Sequence, residues 1–308
     1  MSDEQQISLS RSNQKGRKKI MKHLVLTEED KNLFLNLHDY IYLDIDFIFH
    51  YIFDKYKTRM SATTRLLKLE ESGYIKKFRA STPDSDRGKS ANVYTLTSTG
   101  VATVEELQGY SRWKVQWTRD LPMWYMHSLH LARAVVSYKR QAIPLGLEVK
   151  DFVHETRAFY QFTSNKDDVI RPDGFIVVGA KNSEENFGIF LEMERSVTKK
   201  HVIQKKIERY TNFLKHSDAK VKYMHEKGLE AYVKHWQVMF ISENEEKLKR
   251  TLRLLSMLKP KEGEKPSILR PDIHIPVHLT NLDDVMKNAF GEIYHHLHEG
   301  DYKRKRTL

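Results

Sequence analysis

Two neighbouring stretches, RPDGFIVV at 171–178 and GIFLEME at 188–194, decide how this chain folds. Both read as β-strands, being short apolar runs rich in Ile, Val and Phe and entered through Gly or Pro. In the second, Ile189, Leu191 and Met193 point one way while Phe190, Glu192 and Glu194 point the other, because strand side chains alternate. The two carboxylates thus share a face, roughly 7 Å apart along the strand. The strand is apolar on both faces before them, as a central strand is. Carboxylates at the end of such a strand are costly unless they are paired or bound to a cation. Asp173, at the entry to the first strand, can converge with Glu192 on Mg²⁺, a hard cation that takes oxygen ligands.

Beyond Glu194 the spacing predicts a helix from Lys199 to about His216, with Ile203, Ile207, Tyr210 and Leu214 as its buried stripe. Lys206 sits at the edge of that stripe, one turn before Tyr210, and can point towards the sheet. The other basic residues of this helix read equally well as a solvated face. Working outward, residues 123–298 alternate helix and strand. A helix runs to about Ile143, and strands lie near 149–162, 173–178 and 187–194. After the helix from Lys199 come a strand at 235–241, a helix to about Leu258, a strand at 273–279 and a last helix to about His298. That alternation predicts an α/β domain.

Residues 24–107 read as helix, helix, helix, two strands and a helix. Thr27 caps the first and Ser61 the third, which Gly73 stops. Charge is polarised: Glu28 to Asp54 holds seven acids and one lysine, Lys55 to Lys89 ten basic residues and four acids. On the third helix Ser61, Thr64, Arg65 and Lys68 lie opposite Ala62, Leu66 and Leu69. Such a face suits the major groove, and Arg87 and Lys89, flanking Gly88 in the loop between the strands, suit a phosphate backbone. The unit reads as a winged helix binding double-stranded DNA. The competing reading is a protein-interaction module with a solvated basic face. Residues 108–122 form an aromatic connector, with Tyr110, Trp113 and Trp117, which reads as docked.

The winged-helix run ending in Tyr94, Leu96, Thr97 and Gly100, followed by HSLHLARAVVSYK, RPDGFIVV, FGIFLEMERSVTKK and KIERY, resembles the replication-relaxation family of plasmids and other mobile elements. More broadly, the second domain is similar to the PD-(D/E)xK restriction-endonuclease-like superfamily. The resemblance implies metal-ligand roles for Asp173 and Glu192, with Glu155 as a further acid. It implies replication or relaxase proteins as partners. The chain departs from the superfamily where the motif lysine belongs: Glu194 stands there, and Lys206 is positioned to replace it from the helix. Three functions follow: a DNA-binding accessory protein with a nuclease-like domain used for binding, a Mg²⁺-dependent endonuclease using Asp173, Glu192, Glu194 and Lys206, or a transcriptional regulator with a partner-binding second domain.

Composition narrows the field. The 308 residues carry a formal charge of +11 and no cysteine, so disulfides, zinc ribbons and thiol nucleophiles are excluded. An anionic partner fits the charge. No apolar run has the length of a membrane span or a signal peptide, which predicts a cytoplasmic location. Residues 1–23 and 299–308 read as a basic disordered arm and a basic tail. His127 and His130, and the cluster His295, His296 and His298, read as helical packing or surface residues. The second RPD, Arg270 to Asp272, reads as a strand entry. Gly-rich phosphate loops are absent.

Overall fold

The computed structural model describes residues 24–80, 92–194, 200–256, 275–297 and 305–307. The 1–23 arm, Arg87, Lys89, Arg270 to Asp272, His298 and most of the basic tail lie outside these residues.

The chain begins with α1 (Glu28–Tyr40), β1 (Leu43–Asp44), α2 (Ile45–Tyr51), α3 (Arg59–Glu71), β2 (Ile75–Arg79), β3 (Asn92–Leu96) and α4 (Ser98–Gln108). Thr27 and Asp30 form a reciprocal capping box on α1, and the Phe47 amide donates to Asp44 Oδ1 at 2.7 Å to cap α2. Thr58, not Ser61, caps α3. The helix starts one turn earlier than the apolar stripe suggests, and the Ser61 amide donates to Thr58 Oγ1 at 3.2 Å. Gly73, at φ 80°, ends α3 in the left-handed region. Strand β1 was not anticipated. It pairs with β3, so the strands form an antiparallel sheet in the order β1-β3-β2.

The connector is docked. It carries the short α5 (Gln116–Arg119), Trp117 is buried, and Thr118 Oγ1 donates to Leu96 O at 2.7 Å. Then follow α6 (Tyr125–Ala142), β4 (Leu147–His154), α7 (Glu155–Ala158), β5 (Tyr160–Gln161), β6 (Val169–Ile170), β7 (Gly174–Ala180) and β8 (Asn186–Glu194). The chain continues through α8 (Lys200–Lys215), α9 (Ser217–Lys227), β9 (Val233–Ser242), α10 (Glu245–Ser256), β10 (Val277–Asn281), α11 (Leu282–Asn288), β11 (Tyr294–His296) and β12 (Lys305–Arg306).

A seven-stranded mixed sheet runs β12-β11-β10-β9-β8-β7-β4. Strands β4, β7 and β8 are antiparallel, and β8, β9 and β10 are parallel. The expected order of helix, three strands, helix and strand is present as α6, β4, β7, β8, α8 and β9, a mixed α/β fold. Two expectations are corrected. The strand expected at 149–162 ends at His154, where α7 interrupts it. The last helix stops at Asn288, and Tyr294–His296 instead pairs antiparallel with β10, supplying hydrogen bonds that strand would otherwise lack on that side.

Alternation along the central strands supplies both layers. Ile176, Val178, Ile189, Leu191 and Met193 join α6 and the first unit in one apolar cluster, while Phe175, Val177 and Phe190 meet α8 and α9 in another. Arg133 of α6 pairs with Asp44, and Arg140 donates to Tyr51 O at 2.9 Å, tying the first unit to the sheet layer.

Candidate functional site

The acidic group predicted from the two strands is assembled at the ends of β7 and β8. Glu192 and Glu194 point to the α8 side, as their spacing requires, and both are buried. Lys206 Nζ lies 2.7 Å from Glu192 Oε2 and 2.8 Å from Glu194 Oε1. Tyr210, one helical turn on, donates its hydroxyl to Glu192 Oε1. Asp173, just before β7, is locked to β8 by the backbone: its amide donates to Leu191 O at 3.0 Å and the Met193 amide donates to Asp173 Oδ2 at 2.6 Å.

The other Asp173 oxygen faces α6. His127 Nε2 lies 2.9 Å from Asp173 Oδ1 and 3.7 Å from Glu155 Oε2. Leu131 of α6 packs on Gly174 at the head of β7, where a Cβ would stand 2.9 Å from Leu131 Cδ1. His127 lies four residues before Leu131, on the same helix face, and is thereby set against Asp173. Sequence reading set His127 aside as a packing or surface residue, since no local pattern links it to Asp173, 46 residues further on. Glu155 arrives from α7, whose first turn His154 caps by accepting from the Thr156 amide at 3.4 Å.

Electrostatics follow from burial and crowding. Burial pushes the Glu192 carboxyl up, and Asp173 adds to the rise, while Lys206 and Tyr210 act against it. Burial likewise pushes Glu155 up, to about 7, against the influence of His127. Burial disfavours the Lys206 ammonium, yet Glu192, Glu194 and Asp173 outweigh it and hold its pKa above the ordinary lysine value. A divalent cation suits the Asp173–Glu155 side, where two carboxylate oxygens and an imidazole nitrogen converge. On the Glu192 side, Lys206 and Tyr210 already engage both oxygens.

The predicted DNA-facing residues lie on α3. Thr64 and Lys68 are exposed and Ser61 is half-buried, its hydroxyl donating to Thr58 O at 2.7 Å. Arg65 turns inward. Its Nε donates to Asp30 Oδ1 at 2.9 Å and its Nη2 bonds Asp30 Oδ2 and Val25 O. Lys55 pairs with Glu29 at 2.7 Å, Arg59 with Asp46 at 3.3 Å and Lys77 with Glu70 at 2.9 Å. Much of the basic charge counted in this segment therefore meets acids of the same unit. Arg87 and Lys89 are outside the described residues.

A family model described as replication-relaxation matches residues 37–225. No curated protein matches the chain. Among solved structures, restriction endonuclease FokI is similar at 10% identity and a TM-score of 0.29, covering 84% of this chain and 42% of that one. FokI bound to DNA is similar at 11% identity and a TM-score of 0.25, covering 83% and 43%. The chain thus spans about two fifths of the length of those structures. The family match takes in more than half of the chain, from the last turn of α1 to α9, with β4, β7 and β8 of the large sheet: this chain belongs to the replication-relaxation family.

Proposed function

We propose that this protein binds double-stranded DNA through a winged helix made of α1 to α3 and β1 to β3, as an accessory to plasmid or mobile-element DNA processing. In this reading the nuclease-like domain is a second surface for DNA or a protein partner. The observation that carries it is strand β1: placed between α1 and α2 and paired with β3, it completes a three-stranded sheet beside α3 and leaves Thr64 and Lys68 exposed. Arg87 and Lys89, between the two wing strands, supply phosphate contacts. Fluorescence anisotropy with a labelled duplex over a salt series tests this. Salt-sensitive binding weakened by Lys68→Ala is the expected result, and binding unaffected by Lys68→Ala combined with Arg87→Ala and Lys89→Ala refutes it.

A second reading, a metal-dependent endonuclease, is favoured by the convergence of Asp173, Glu192 and Lys206 from three elements. A divalent cation held by Asp173 would there neutralise charge on a phosphodiester, and Lys206 would stand in for the motif lysine. Incubating supercoiled plasmid with the protein and Mg²⁺ or Mn²⁺ decides the point: nicking that Asp173→Asn abolishes supports cutting, and its absence leaves binding as the role of this domain.

A further inference from the structure

We propose that His127, Glu155 and Asp173 form a first-row transition-metal site that prefers Mn²⁺ to Mg²⁺, with the His127 imidazole as a ligand beside two carboxylates. One ligand atom from each residue lies within 4.8 Å of the other two. Two ligand atoms at right angles about an ion, with bonds of about 2.1 Å, stand roughly 3 Å apart. The His127 nitrogen sits 2.9 Å from Asp173 Oδ1, the spacing of neighbouring ligands, and 3.7 Å from Glu155 Oε2, which a small closing of α7 would bring into the set.

The three side chains come from separate elements, and each is held from behind. Leu131, one turn after His127 on α6, packs against Gly174 at the head of β7. The Met193 amide occupies the far oxygen of Asp173 at 2.6 Å, which aims the other oxygen at His127. The cap from His154 starts the helical turn that carries Glu155. An independent feature lies next to the trio. His154, paired across the sheet with Gly174, is 5% exposed, and among the described residues its Nε2 has no hydrogen-bond partner. Access exists as well: an open cleft of about 570 Å³, lined by Glu155, Thr156, Phe159, Arg171, Pro172 and Asp173, reaches two of the three ligands.

The donor set decides the class of ion. Mg²⁺ prefers an all-oxygen octahedron and keeps its waters, whereas imidazole suits first-row transition metals, among which Mn²⁺ also accepts carboxylates. Glu192 is left out of the set because Lys206 and Tyr210 already engage its two oxygens. The inference does not depend on DNA binding. It shares Asp173 with the endonuclease reading, but its test reads the ion itself, so the two can fail separately.

The test is titration of the full chain with Mn²⁺, following loss of the free-ion electron paramagnetic resonance signal and nitrogen coupling to the bound ion. A single Mn²⁺ per chain with nitrogen coupling is expected, and excess Mg²⁺ should not displace it. His127→Ala should lose the coupling and weaken binding at least about tenfold. Glu192→Gln should retain both. His127→Gln, with circular dichroism on each variant, covers the case in which His127→Ala does not fold. The proposal is overturned if the folded parent retains no Mn²⁺, if bound Mn²⁺ shows no nitrogen coupling, or if Glu192→Gln loses the ion while the His127 variants keep it.

Discussion

The Arg65 guanidinium clasps the Asp30 carboxylate across 35 residues of chain, joining α3 to the first turn of α1. Asp30 is fully buried, and it also closes the capping box with Thr27. Arg65 thus serves the fold before it serves any ligand. Arg65→Ala leaves a buried carboxylate without its partner, and such a loss costs about 3 kcal/mol. Chemical denaturation of the parent and variant measures it. A change below about 0.5 kcal/mol would show that Arg65 is a surface residue after all.

Lys68 is the contrasting case on the same helix, being exposed. Lys68→Ala should leave the denaturation midpoint unchanged while reducing the log-log salt slope of duplex binding by about 0.9 if one phosphate contact is lost. Equal slopes for parent and variant would remove Lys68 from the interface.

Glu194, the next residue on the Glu192 face of β8, offers a sharper probe of cutting. Glu194→Lys places a lysine where the nuclease superfamily has one and removes an acid from the cluster around Lys206. Metal-dependent plasmid nicking should then appear, or rise above that of the parent, and vanish on adding Asp173→Asn. Nicking by the parent that Lys206→Ala abolishes would instead assign the lysine role to α8.

Lys206 also predicts a pH response. Burial raises the Glu192 pKa, so the folded state holds this proton more tightly than the unfolded chain does. Stability from that group is present below its unfolded pKa and is lost as pH rises through the folded value. Lys206 opposes the rise. In Lys206→Met the shift grows, and the melting temperature measured with chelator present should fall from pH 5 to pH 8 more steeply than in the parent. Parallel profiles would mean that Lys206 does not neutralise the pair.

The central part of the site was legible because it rests on local periodicity. Glu192 and Glu194 share a face by strand alternation, and Lys206 and Tyr210 share one by the helical turn, so their meeting required only that α8 cover β8. Strands β1 and β11 were not legible. Leu43–Asp44 is too short for a pattern, and Tyr294–His296 becomes a strand only because β10 lies beside it. The histidines of β11 were accordingly misplaced on a helix.

Apolar alternation in 174–178 and 188–194 by itself determined a two-layered sheet with acids at its end, because which side a side chain takes is a property of the backbone two residues at a time. Tertiary structure alone decided which charges meet. Arg65 looked free beside its helix neighbours and is taken by Asp30, while His127 looked like packing and stands against Asp173 and Glu155. An ion pair or a ligand set depends on distances of about 3 Å between segments far apart in the chain, and such distances are set by how the elements pack on one another, which no local pattern encodes.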